Sequence, residues 1–271
     1  MLHPSPGFVS LPPAPETVFA WGYAPRTDQH RVGGVDFTVA TLDSAVDRLL
    51  TDAVDEQRSG GWSVRLANAY SVVVADQDPD YAQVLNGHGA TYADGAPIEW
   101  IMKRRRVSGA GRVRGPSFFK ETLRRGQTQG VRHFFLGTTE ETLAALVAQV
   151  SHEFPAAKIA GQWAPPFGPV DDDFVAAAQA RIGDTDPHII WVALGTPKQD
   201  FAAQRLAQAT GALCVGVGAA FDFVAQTKAE APEWVQRAGM EWLFRLASEP
   251  RRLAHRYVVG NTQFLRIAAR G

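Results

Sequence analysis

Apolar positions along the chain fall into two registers that take turns. In "GGVDFTVATLDSAVDRLLTDAVDE" a short apolar strand gives way to Val46, Leu49, Leu50 and Ala53 at helical spacing, with Thr41 or Asp43 available as a cap. "WSVRLA" reads as a strand ending near Ala67, with Asn68 at its carboxyl end, and "DPDYAQVLNGHG" as a helix closed by Gly87. "ATYADGAPIEWIMKRRR" predicts a strand, a sharp Asp94-Gly95 turn and a helix; "RGPSFFKETLRRG" predicts a helix with Pro116 in its first turn. Then the alternation becomes regular: strands "VRHFFLG", "AKIAGQW", "HIIWVALG" and "ALCVGVGAAF", separated by helices "TEETLAALVAQVSHEF", "DDDFVAAAQARIG" and "KQDFAAQRLAQATG". Strand and helix in strict turn, with continuously apolar strands, predict an α/β fold: a mainly parallel sheet covered by helices on both faces.

In such sheets ligands bind beyond the carboxyl ends of the strands. Asn68, Asp94, Gly137, the "GTPKQ" loop (Gly195, Pro197, Lys198, Gln199) and the "GVGAAFD" loop (Gly218, Asp222) all fall there. The last 45 residues break the pattern and predict two or three helices interrupted at Pro232, Gly239 and Pro250, with aromatic residues among eight Lys or Arg against four Glu. Three segments follow: a flexible proline-rich leader, 1–31; an α/β core, 32–226; and a basic, aromatic helical appendage, 227–271.

Composition narrows the function classes. A net charge of −1 over 271 residues argues against wholesale nucleic-acid binding. Cys214 is the one cysteine, in the apolar run "ALCVGVG", and reads as a core residue. No apolar run reaches the roughly 20 residues of a membrane span, and the leader has no signal-peptide pattern, so a cytoplasmic protein is expected.

Each candidate has an ordinary reading beside a chemical one. Asp94 fits a turn, yet a carboxylate at this sheet edge is where a general base would be placed. Asn68 fits either a helix cap or a ligand-binding amide. Lys198 and Gln199 open a helix; they are a solvated first turn or an anion site built on exposed N–H groups. "GVGAAFD" lacks the third glycine of a dinucleotide fingerprint and comes late in the chain, which speaks against an oxidoreductase. "DDD" at 171–173 invites a metal reading, but it directly precedes an amphipathic helix and is assigned to capping. The histidines show no metal-ligand spacing.

"ANAYSVVVADQDPDYAQVLNGHGATYADGAPIEW", "RVRGPSFF", "FFLGTTEET", "WVALGTPKQDF" and "VGVGAAFDFVAQTKAEAPEWVQRAGMEWLFRLASEPRRLAHRYVVGN" together resemble the WecG/TagA/CpsF glycosyltransferases, glycosyltransferase family 26, from about Gly33 to Phe264. The resemblance implies a Rossmann-like core, a sugar nucleotide donor (UDP-ManNAc-like or UDP-glucose-like) and a polyprenyl-diphosphate-linked saccharide acceptor. It implies inversion at the anomeric carbon without a metal or other cofactor, in bacterial surface-polysaccharide assembly at the inner face of the plasma membrane. Asp94 takes the position of the base, Asn68 and Gln199 those of substrate-binding amides. Arg245, Arg252 and Arg256 take those of appendage arginines that meet the diphosphate beside an anionic membrane surface. A homo-oligomer is left open.

Three positions depart from the family pattern. Leu66 stands where a threonine is usual, Gln226 replaces a glycine and Glu230 replaces an arginine. The alternative function, an inactive family member that serves as a membrane-recruited scaffold, draws on Leu66 and Gln226; Asp94 and Gln199 speak for the enzyme.

Overall fold

The computed structural model describes residues 28–248, 260 and 262–270. Strands β1 (Gln29–Val32) and β2 (Val35–Thr38) form an antiparallel hairpin where one short strand was expected. They are followed by α1 (Leu42–Val54), β3 (Ser63–Ala67), α2 (Ala69–Gln77), α3 (Pro79–Asn86), β4 (Gly89–Ala93), α4 (Ala96–Arg104) and α5 (Gly115–Gly126). The second half runs β5 (Arg132–Gly137), α6 (Glu140–Glu153), β6 (Lys158–Trp163), α7 (Asp172–Ile182), β7 (Ile189–Ala193), α8 (Lys198–Thr210), β8 (Leu213–Gly216) and α9 (Ala220–Val224). Short helices α10 (Glu233–Arg237) and α11 (Glu241–Ser248) come next, and a last helix covers 262–270.

Strands β3 to β8 make one six-stranded sheet in the order β4–β3–β8–β7–β5–β6. Every pairing in it is parallel. The apolar strands read from the sequence are buried because helices cover both faces. Ile189, Trp191 and Ala193 of β7 face the layer of α1, α5, α6 and α9, while Ile190 and Val192 face α7 and α8. Trp191 anchors the first layer, its ring edge-on to Phe119 at 4.8 Å between centroids and to Phe118 at 6.2 Å. β4, at one end of the sheet, is nonetheless buried throughout, because β2 packs beside it.

Local chemistry sets the helix starts. Thr41 and Ser44 form a reciprocal capping box on α1. Asp171 caps α7 by accepting from the Phe174 N–H at 2.9 Å, the role assigned to the acidic run. The valine-rich stretch after Asn68 is helix rather than strand, since Asn68 caps α2 and tertiary packing overrides the β preference of Val72 and Val73. The strand read as "ALCVGVGAAF" ends at Gly216, and its remainder turns into α9.

Of the leader expected over 1–31, residues 1–27 lie outside the described residues, and Gln29–Arg31 belong to β1. Pro232 and Gly239 flank α10 as expected, and Pro250 lies outside the described residues. The last helix returns to the body of the protein. Its Phe264, Ile267 and Ala268 share a core cluster with Val32, Val35, Phe37 and Ile98. The Arg105 guanidinium donates to the Ala268 carbonyl at 2.9 Å.

Candidate active site

The carboxyl ends of β3, β4, β7 and β8 open into two adjoining cavities that share Asn68, Asp94, Pro116 and Phe223. The larger, about 390 Å³, runs over the "GTPKQ" and "GVGAAFD" loops and takes in Gly195, Gln199, Gly218, Asp222 and Lys228. The smaller, about 140 Å³, lies between the core and the appendage and is lined by Arg112, Arg114, Glu241 and Trp242. Asp94 stands where the two join.

Asp94 is half-buried and follows β4 directly, its N–H bonded to the Ala67 carbonyl at 2.9 Å. Gly95 comes next at φ +104, a conformation that a side chain would strain, so the Asp-Gly turn and the wall residue are one device. The capping reading of Asn68 holds. Its Oδ1 accepts from the N–H groups of Tyr70 at 3.0 Å and Ser71 at 3.3 Å, and the same side chain lines both cavities. Capping fixes the amide's orientation.

Gln199 is not a solvated first-turn residue. It is 3% exposed, and its Oε1 has no hydrogen-bond partner among the described residues. A Cβ on Gly216 would sit 3.3 Å from its Nε2, and one on Gly218 would sit 3.4 Å from its Oε1. Bare strand-end glycines thus make the room that the amide occupies. A buried amide oxygen without a donor is costly, and a ligand N–H or O–H in the cavity would offset that cost. The first-turn N–H groups expected to be exposed are partly used: Gln199 N–H bonds Gly195 O at 2.9 Å, and Asp200 N–H bonds Pro197 O at 3.0 Å.

Lys198 departs from expectation. Its ammonium donates to the Gly168 carbonyl and lies 5.3 Å from the Phe167 ring centroid, and it does not line the cavity. Burial lowers its pKa below the ordinary lysine value. Lys228 is instead the cation of the described lining, held 3.0 Å from Asp222 Oδ2. Pro197 caps α8 after a cis Thr196-Pro197 bond and is likewise outside the lining. Gly137 does not line the cavity either. At φ +124, a Cβ there would lie 2.4 Å from the Ala193 carbonyl oxygen, so only glycine lets β5 and β7 meet. Its neighbour Thr138 provides the lining.

Beneath the loop lies a polar network that the pattern of apolar residues does not announce. Asp200 is 2% exposed; its Oδ2 accepts from the Tyr81 hydroxyl at 2.7 Å, and its Oδ1 has no partner among the described residues. Burial, opposed by that hydrogen bond and by the Arg65 charge, raises its pKa to about 7. Arg65, also buried, bonds Thr91, Ser63 and the carbonyls of His88 and Gly87.

Arg245 lies on α11, but its side chain is outside the described residues, as are Arg252 and Arg256 entirely. Among the described residues no group of three or more His, Cys, Asp or Glu side chains is placed to hold a metal ion, and no helix is long and apolar enough to cross a membrane.

Two curated bacterial proteins are similar to the chain. Both are named N-acetylglucosaminyldiphosphoundecaprenol N-acetyl-beta-D-mannosaminyltransferase. The Bacillus spizizenii protein is 28% identical over 222 residues, 82% of this chain and 84% of that one. The Bacillus subtilis protein is 28% identical over 220 residues, 81% and 83% respectively. The model of the glycosyl transferase WecG/TagA/CpsF family matches residues 30–271. With a parallel α/β sheet, and a carboxylate and a buried amide on one cavity at its carboxyl edge, the chain belongs to the WecG/TagA/CpsF family of glycosyl transferases.

Proposed function

We propose that the protein transfers an N-acetylhexosamine, most simply N-acetylmannosamine, from a UDP-sugar to a saccharide carried on a polyprenyl diphosphate. The observation that carries this reading is the place of Asp94 on the wall common to two cavities. A donor in the larger cavity and an acceptor in the smaller one bring the attacking hydroxyl, the anomeric carbon and a carboxylate together. The names of the curated relatives supply the sugar and the lipid.

The acceptor hydroxyl oxygen attacks the anomeric carbon as the bond to the leaving diphosphate breaks. Asp94 takes the hydroxyl proton, and the nucleoside diphosphate departs with the bonding electron pair, giving inversion. Gln199 offers its unpartnered Oε1 to a donor N–H or O–H. Lys228, with Arg245, Arg252 and Arg256 of the appendage, compensates the charge that builds on the departing diphosphate, so no metal is needed.

Residues 32–226 form the catalytic core of this reading and 227–271 the appendage, which meets an anionic membrane face through 227–248 while its last helix packs against the hairpin. The exposed Trp234, Met240 and Leu243 support that orientation, with exposed Trp100 close by Gly239. The test is a panel of UDP-ManNAc, UDP-GlcNAc and UDP-glucose with a GlcNAc-diphosphate lipid acceptor. A lipid-linked disaccharide formed from UDP-ManNAc, unaffected by EDTA, is the expected result. Binding of UDP without transfer from any donor would instead make the protein a scaffold.

A further inference from the structure

We propose that Arg112 and Arg114 are positioning residues that latch the appendage over the smaller cavity and thereby assemble the acceptor half of the site. The inference rests on the assignment of that cavity to the acceptor.

The two arginines flank Val113, whose N–H bonds the Ala93 carbonyl at 2.8 Å. That bond fixes them beside the end of β4, next to Asp94. Arg114 donates from Nε to Glu241 Oε1 at 2.5 Å and pairs through Nη2 with Glu230 Oε1 at 2.5 Å. Its Nη1 reaches Ser117 Oγ at 3.3 Å. Arg112 donates from Nη1 to Glu241 Oε2 at 3.2 Å and from Nη2 to the Gln236 carbonyl at 2.8 Å. Glu241 therefore bridges both guanidinium groups with one oxygen each.

These bonds occupy every nitrogen of Arg114 and balance two positive charges with two negative ones. What remains is a clamp rather than an anion receptor. The Arg114 side chain is 9% exposed, so parting it from its carboxylates would leave a buried cation unpaired, which is strongly unfavourable. Glu230, which stands in place of a family arginine, is thereby explained as a partner of Arg114.

A second contact pins the same segment. Gly239 approaches α4 so closely that a Cβ would lie 2.6 Å from Ala96 Cβ and 3.0 Å from Trp100 Cζ2. Held at these points, the appendage contributes Gly239, Glu241 and Trp242 to the cavity lining.

The test uses the full chain with Arg114→Met, Arg112→Met, Glu230→Gln/Glu241→Gln and the combination of the last with Arg114→Met. Arg114→Met should raise the acceptor KM roughly tenfold, within the coupling expected of contacting charged residues, and leave UDP affinity unchanged. Amide exchange over 233–248 should quicken in both arginine variants. In the Glu230→Gln/Glu241→Gln background, Arg114→Met should cost nothing further. An equal cost in both backgrounds would make Arg114 a direct ligand of the acceptor and overturn the latch, as would unchanged exchange. The exchange measurement needs no turnover, so it judges the latch even if the donor panel shows no transfer.

Discussion

Asp94 and Gln199 face one cavity from the two sides of a four-strand span: Asp94 at the end of β4, Gln199 in the first turn after β7, with β3 and β8 between them. The carboxylate stands where the cavity meets its smaller neighbour, and the amide sits beside Gly216, which ends β8, and Gly218 just beyond it. In the proposed mechanism one serves proton transfer and the other orientation, so their loss should register in different kinetic constants.

Asp94→Asn keeps the size and turn geometry but removes the base. We expect kcat to fall by about 10²–10⁴ with UDP affinity preserved. Transfer assays beside calorimetric titration of UDP check this, and near-normal turnover in a folded variant would remove Asp94 from the mechanism.

Gly216→Ala places a methyl 3.0 Å from Asp200 Oδ1 and 3.3 Å from the Gln199 side chain. The amide must shift, and donor KM should rise several-fold, roughly the 10-fold that 1.4 kcal/mol represents, while acceptor KM stays put. Gln199→Ala should show the same pattern more strongly. If both variants bind the donor normally, Gln199 does not touch it.

The pH dependence of stability should carry the mark of Asp200. Its folded pKa of about 7 lies above the ordinary value of 3.8, so the folded state holds a proton that the unfolded state has released between those limits. Its stabilising contribution is therefore full below the unfolded value and lost as pH rises through about 7. His133 works the other way: burial lowers its pKa to about 3, so stability falls as the pH drops below 6.5. Asp200→Asn should be more favourable relative to wild type at pH 8 than at pH 5 in urea titrations. A difference independent of pH would contradict the assignment.

Gln226 sits at φ +57 on an exposed turn where the family pattern has glycine. Left-handed backbone costs a side-chain-bearing residue about 1–2 kcal/mol, partly offset by the greater entropy that glycine loses on folding. Gln226→Gly should raise the melting temperature by a few degrees; a lower value would show that the glutamine side chain stabilises the turn.

The sheet and the cluster of loops at its carboxyl edge were legible because buried parallel strands and capped helices leave periodic signatures. Asp171 announced its capping role by position, and Asp94 and Gln199 announced their places on the cavity wall by standing at strand ends. Gly137 could be located but not explained, since its need for glycine comes from the carbonyl of a strand far off in sequence. Asp200 and Arg65 look like surface residues in a string of letters; only packing shows that both are enclosed. The turn of Lys198 toward Gly168, and the meeting of Arg114 with Glu230 and Glu241, depend on tertiary proximity that no spacing rule encodes.

The return of helix 262–270 to the hairpin has a practical consequence. Cutting the chain after residue 226 would strip Phe264 and Ile267 from beside Val32 and Phe37, side chains whose burial stabilises a fold by about 1.5–3 kcal/mol each. A shortened protein that failed would then report a wounded interior rather than a missing membrane contact. Excising the intervening stretch and rejoining the ends with a flexible linker separates the two.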